Sequence, residues 1–144
     1  MTLLRRAWNV SRVIVLFACV HNAGRSQMAA AFLNQLADPE KARAVSAGTS
    51  PANAVHPEVV DVMREVGVDL SDAPTTRLTQ DVAAGVCMLV TMGCGDECPV
   101  VPGVRRDDWP LDDPKSRTAE EVRAIRDAIR KRVETLIAAE GWGR

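Results

Sequence analysis

The feature that most constrains this chain is a continuous apolar run, Val13 to Val20, that breaks into a polar loop and then into a helix-like pattern. Apolar runs of strand length mark strands buried on both faces, as in parallel sheets; strands with one wet face alternate instead. The run is far too short to span a bilayer. A first strand of this kind needs cover on both sides, and the remaining sequence supplies it.

Beyond the loop, the spacing predicts a helix from Gln27 to about Ala37, capped by Ser26, with Met28, Phe32 and Leu36 on one stripe. Arg43 to Ser46 is a short second strand. Pro57 opens a helix whose inward face is Val59, Val62, Met63 and Val66, with Gly67 as its stop. Val86 to Thr91 is a third buried strand, which places Cys87 in the core as a small apolar residue. Val104 to Trp109 is a shorter fourth strand. The last helix runs from about Ala119 to Ala139, with Thr118 and Glu121 as a capping box. It carries the stripe Val122, Ile125, Ile129, Val133 and Leu136, while Arg123, Arg126, Arg130 and Arg132 read as a solvated face. Strands alternating with helices indicate an α/β sandwich around a small parallel sheet.

The 144 residues fit one compact domain over 13–140, preceded by an extension over 1–12. Eighteen Lys and Arg against nineteen Asp and Glu leave a net charge of -1, so nucleic acid is not an expected partner. With no signal-peptide core and no membrane segment, a cytoplasmic monomer is expected. The four cysteines, at 19, 87, 94 and 98, then read as reactive or structural thiols rather than a disulfide framework. Zinc on the Cys94–Cys98 pair is set aside, because only two histidines exist to complete a site.

In parallel α/β sheets the functional crevice lies at the carboxyl ends of the strands, where the loops at 19–25 and 92–103 and Asp112-Asp113 would converge. The segment Cys19-Val20-His21-Asn22-Ala23-Gly24-Arg25-Ser26 has the spacing of an oxyanion nest. Between a strand and a helix, such a loop can turn successive N–H groups inward, and the helix N-terminus adds positive potential. Gly24 supplies backbone freedom, and Arg25 offers two anion oxygens a planar fork of donors. Cys19 at the bottom of this bowl is favoured as thiolate, with Ser26 able to donate to the sulfur. Asn22 can brace the loop through bonds to backbone. His21 is expected to contribute its backbone rather than its ring.

Cys19 to Ala30 resembles the active-site loop of the low-molecular-weight phosphotyrosine phosphatase superfamily, and more closely that of the arsenate reductases built on that fold. The resemblance extends through Ser46-Ala47-Gly48-Thr49, Val62 to Ser71, Val90-Thr91-Met92 and Trp109 to Pro114. Gln27 favours the reductase branch, since phosphatases usually carry Pro there. It implies a three-layer sandwich with a four-stranded parallel sheet in the order 2-1-3-4. It also implies that Cys19 attacks arsenate, with phosphate or sulfate as competing anions. Arg25 and the amides of Val20 to Ser26 would bind the oxygens, and Asp113 would protonate the leaving oxygen, with Asp112 as its alternate.

No tightly bound cofactor or metal is implied; Ala30 stands where potassium-binding relatives have Glu. The reductant implied is thioredoxin, acting through Cys94 and Cys98, or mycothiol with a glutaredoxin-like protein. Cys98 before Pro99 matches an outer relay cysteine, whereas Gly93 occupies the place expected for the inner one and Cys94 follows it.

Overall fold

The computed structural model describes residues 12–93 and 101–144. Four parallel strands form one sheet: β1 (Val13–Cys19), β2 (Ala42–Gly48), β3 (Met88–Thr91) and β4 (Arg105–Asp108), in the order β2-β1-β3-β4. The helices are α1 (Arg25–Leu36), α2 (Pro57–Arg64), the short α3 (Gln80–Ala84) and α4 (Ala119–Glu140). The expected layers and strand order are those observed. Among the described residues no helix is long and apolar enough to cross a membrane.

β1 and its neighbour β3 occupy the middle of the sheet and are apolar on both faces. Val15 and Phe17 point into the larger core with Met28, Phe32 and Leu33 of α1, Val59, Val62 and Met63 of α2, and Val122, Ile129 and Val133 of α4. Leu16 and Ala18 point the other way, into a smaller core with Ala47, Ala83, Val86 and Leu89. This is the period of two expected of a strand, with one thick and one thin cover. Registry aligns the strand ends: Cys19 pairs with Gly48, Ala18 with Thr91, and Thr91 with Asp108. The loops that follow β1, β3 and β4 therefore leave the sheet at one level.

Four local expectations are corrected. β3 begins at Met88, two residues later than the apolar run suggests; a bend at Cys87 turns Val86 into the thin core and leaves Cys87 exposed. Ser26 does not cap α1, which starts at Arg25 with Gly24 at the cap position and no side-chain cap. The Ser26 hydroxyl is engaged elsewhere, by Asn22 and Cys19. β4 is confined to Arg105–Asp108, and Trp109 beyond it is buried against Phe17, with ring centroids 5.5 Å apart.

Arg126 is not on a solvated face. It is buried and donates to the Val62 carbonyl at 2.9 Å and to Glu65 at 2.9 Å. Val62 lies in the last turn of α2, where carbonyls have no helical partner, so Arg126 of α4 completes the end of α2. The α4 capping box forms as expected, and Gly141 ends the helix at φ 73°.

Candidate active site

The Cys19 loop has its polarity turned inside out. Thr49 N–H donates to the Cys19 carbonyl, Ser50 to Val20, Ala52 to His21, His56 to Ala23 and Met28 to Gly24. The Asn22 carbonyl accepts from Gln27 Nε2 at 3.1 Å. Thus every carbonyl from Cys19 to Gly24 is bound by a neighbouring segment. Among the described residues, no amide from Val20 to Ser26 donates a hydrogen bond. With the carbonyls held outward, those N–H groups line the concave side, together with the open N-terminus of α1. The result is a cradle of donors above Cys19.

Two close approaches make this curl possible. A Cβ on Gly48 would lie 2.6 Å from the Val20 carbonyl oxygen and 2.8 Å from the Asn22 nitrogen, so the loop rests directly on the end of β2. A Cβ on Gly24 would lie 2.6 Å from Pro114 Cγ, which seats the 109–114 loop on the cradle.

Asn22 takes φ 51°, a left-handed conformation that Asn tolerates. Both ends of its side chain are engaged: Nδ2 donates to Ser26 Oγ at 2.9 Å, and Oδ1 accepts from the Thr76 amide at 2.8 Å. Gln27 reinforces it, with Nε2 reaching the Pro74 carbonyl at 2.8 Å. Cys19 is buried, with Sγ 2.9 Å from Ser26 Oγ. Since Ser26 Oγ already accepts from Asn22, its own proton is free to point at the sulfur.

Arg25 Nη1 donates to the Leu111 carbonyl at 2.9 Å, and Nη2 lies 3.8 Å from Asp113 Oδ2. Asp113 therefore stands at the mouth beside Arg25. Its other oxygen accepts from the Lys115 amide at 3.0 Å, and its side chain is 42% exposed. Asp112 beside it is exposed.

His21 and His56 face each other at the rim, ring centroids 6.3 Å apart. Partial burial pushes the His56 pKa down, against the pull of Glu58 and Asp113. Cys94 and Cys98 lie outside the described residues.

Sequence reasoning did not find the Leu111 carbonyl, the Gln27 brace, or the contact of Gly93 with Arg25. The last had a readable signal, a glycine at the carboxyl end of a buried parallel strand, where chain segments crowd a site.

Residues 14–140 match the family described as low molecular weight phosphotyrosine protein phosphatase, and the chain belongs to it. Within that family its similarity runs toward proteins that handle arsenate. It is 40% identical over 124 residues to a putative arsenate reductase of Halobacterium salinarum, covering 83% of this chain and 87% of that one. It is 34% identical over 127 residues to a glutaredoxin arsenate reductase of Synechocystis, covering 86% and 95%. Among solved structures, the thioredoxin-dependent arsenate reductase of Corynebacterium glutamicum superposes with a TM-score of 0.77 at 37% identity. That match covers 96% of this chain and 66% of the longer Corynebacterium chain.

Proposed function

We propose that this chain reduces arsenate to arsenite at Cys19. The observation that carries the reading is the cradle itself: amides from Val20 to Ser26 that donate no hydrogen bond among the described residues, and a buried guanidinium, gathered around the Cys19 thiol. The Cys19 thiolate attacks arsenic while the amides and Arg25 hold the remaining oxygens, where charge accumulates. Asp113, beside Arg25 at the mouth, gives its proton to the departing oxygen, which leaves as water. A second thiol then attacks the Cys19 sulfur. The S–As electron pair stays on arsenic, taking As(V) to As(III), and the two sulfurs join as a disulfide.

The similarity to thioredoxin-dependent and glutaredoxin-type arsenate reductases supports this substrate over a phosphoester. So does the mouth: among the described residues Phe17, Phe32, Trp109 and Trp142 are all buried, so none of these Phe or Trp rings stands exposed to wall a phosphotyrosine ring. Trp109 in particular packs inward on Phe17.

The second thiol comes from Cys94 or Cys98, recycled by thioredoxin, or from mycothiol followed by a glutaredoxin-like protein. Arsenate consumption is measured with each system, beside hydrolysis of an aryl phosphate. Reduction with at least one thiol source is expected, and Cys19→Ser should lower it at least about a thousandfold while phosphate still binds. Aryl phosphate turnover without arsenate reduction overturns the proposal in favour of a phosphatase. Anion binding without either activity indicates a non-catalytic oxyanion binder. Loss of thioredoxin-driven turnover in Cys94→Ser and Cys98→Ser assigns the second thiol to these cysteines, whereas turnover with mycothiol alone, unchanged in both variants, assigns it to the external donor.

A further inference from the structure

We propose that Gly93 is a positioning residue, whose missing side chain is what lets the Arg25 guanidinium stand where it can hold an oxyanion. The inference rests on the oxyanion reading of the Cys19 loop and goes beyond it in naming what sets the guanidinium in place. The chain is pinned to the sheet as far as Met92, whose N–H donates to the Ala18 carbonyl at 2.7 Å. At the next residue it turns with φ +95° and passes directly against Arg25. A Cβ on Gly93 would lie 2.4 Å from Nη1, 3.1 Å from Cζ and 3.4 Å from Nη2 of Arg25. The same Nη1 donates to the Leu111 carbonyl at 2.9 Å. The guanidinium is thus bounded by the β3 exit and by the loop that carries Asp113.

Two separate demands fall on position 93: a left-handed backbone and an empty place for the guanidinium. Gly67 separates them, because it shares the first (φ +84°) but has nothing within 4 Å of its would-be Cβ. The obstructing atoms at 93 are the far end of a flexible side chain. A methyl there is accommodated by moving the guanidinium about 1 Å, the distance needed to restore ordinary contact, rather than by moving the sheet. A shift of that size strains the bond to Leu111 and misaligns the fork with the anion, and misplacements of about 1 Å cost up to about a hundredfold in function. Gly93→Ala should therefore act on anion affinity beyond its backbone strain, and only through Arg25.

The test compares the full chain with Gly93→Ala, Gly67→Ala, Arg25→Lys and the Gly93→Ala/Arg25→Lys pair, reading inorganic phosphate affinity by calorimetry, arsenate kinetics and melting temperature. Gly93→Ala should weaken phosphate about tenfold or more relative to Gly67→Ala, at a similar melting temperature. It should raise KM for arsenate more than it lowers kcat. In the Arg25→Lys background, adding Gly93→Ala should change phosphate affinity less than about twofold, since the planar fork it obstructs is gone.

Equal phosphate binding by Gly93→Ala and Gly67→Ala overturns the proposal, as does full recurrence of the loss beside Arg25→Lys. If Gly93→Ala alone does not fold, recovery of folding in the pair supports the guanidinium as the obstacle; failure of the pair while Gly67→Ala folds overturns it. Wild-type protein that binds phosphate but reduces no arsenate removes the reductase reading and leaves this inference standing. Wild-type protein that binds no phosphate overturns both.

Discussion

Arg25 and Arg126 are buried to the same degree, with 9% and 10% of their side chains exposed, yet they are satisfied very differently. Arg126 spends its donors inside the protein: Nη1 on the Val62 carbonyl and Glu65, and Nε on Asp127 at 2.8 Å. It joins α2 to α4. Among the described residues Arg25 makes one hydrogen bond, to Leu111, and stands 3.8 Å from Asp113. Among the described residues the only buried side-chain polar atom without a partner is Thr49 Oγ1, so the remaining N–H groups of Arg25 are not sealed off. Desolvating a charge costs free energy that must be offset by hydrogen bonds or opposite charge. At Arg126 the fold supplies that offset; at Arg25 much of it is left for an anion to supply. On the proposed function the less committed guanidinium is the one that binds the anion, whereas the one with more internal bonds is a joint.

This contrast is open to direct attack. The largest effect is expected from Arg25→Lys, which replaces the planar fork by a point charge. It should lower kcat/KM for arsenate by roughly a hundredfold while the melting temperature moves by only a few degrees. Arg126→Ala should do the reverse. Losing its bonds to the end of α2 should cost about 2 kcal/mol in urea unfolding, with kcat/KM per folded molecule unchanged. A variant of Arg126 that loses catalysis at unchanged stability would break the contrast. Ser26→Ala removes the hydroxyl 2.9 Å from the Cys19 sulfur and should slow arsenate turnover about tenfold with little change in unfolding.

The smallest effect is a pH signature of the joint. Bonds from Arg123 and then Arg126 hold the Glu65 carboxyl down at about 2, below its ordinary 4.5. A carboxyl depressed in the folded state contributes stability that is complete above 4.5 and is lost as pH falls toward 2. Melting temperatures of the wild type and Glu65→Gln should therefore differ at neutral pH and converge as pH is lowered through that window. A constant difference would show that Glu65 acts through packing alone.

The parts of this protein legible in its sequence are those governed by local pattern. Val13 to Ala18 announces a two-faced strand because no polar residue interrupts it. Thr118 and Glu121 announce the start of α4 because a capping box is closed by neighbours three residues apart. The Cys19 loop is legible because its donors, its glycine and its arginine are consecutive. Less local features were misread. Cys87 looked buried because it sits in an apolar run, but burial depends on the bend that precedes β3 and on the thin layer above it. Arg126 looked solvated because helical periodicity reports which face a residue is on, not whether another helix ends there.

By itself the sequence determined the alternation of strands and helices, the burial of β1 on both faces, and the place of Cys19 at the head of a loop between a strand and a helix. Each follows from residues adjacent in the chain or spaced by one helical turn. Tertiary structure alone decided which way the nest's polarity runs, because the carbonyls of Cys19 to Gly24 are bound mostly by residues at 49, 50, 52 and 56. It also decided what bounds Arg25, since Gly93 and Leu111 lie 68 and 86 positions away and meet it only where parallel strands end together. Contacts of that range are set by sheet register and loop packing, which no local pattern encodes.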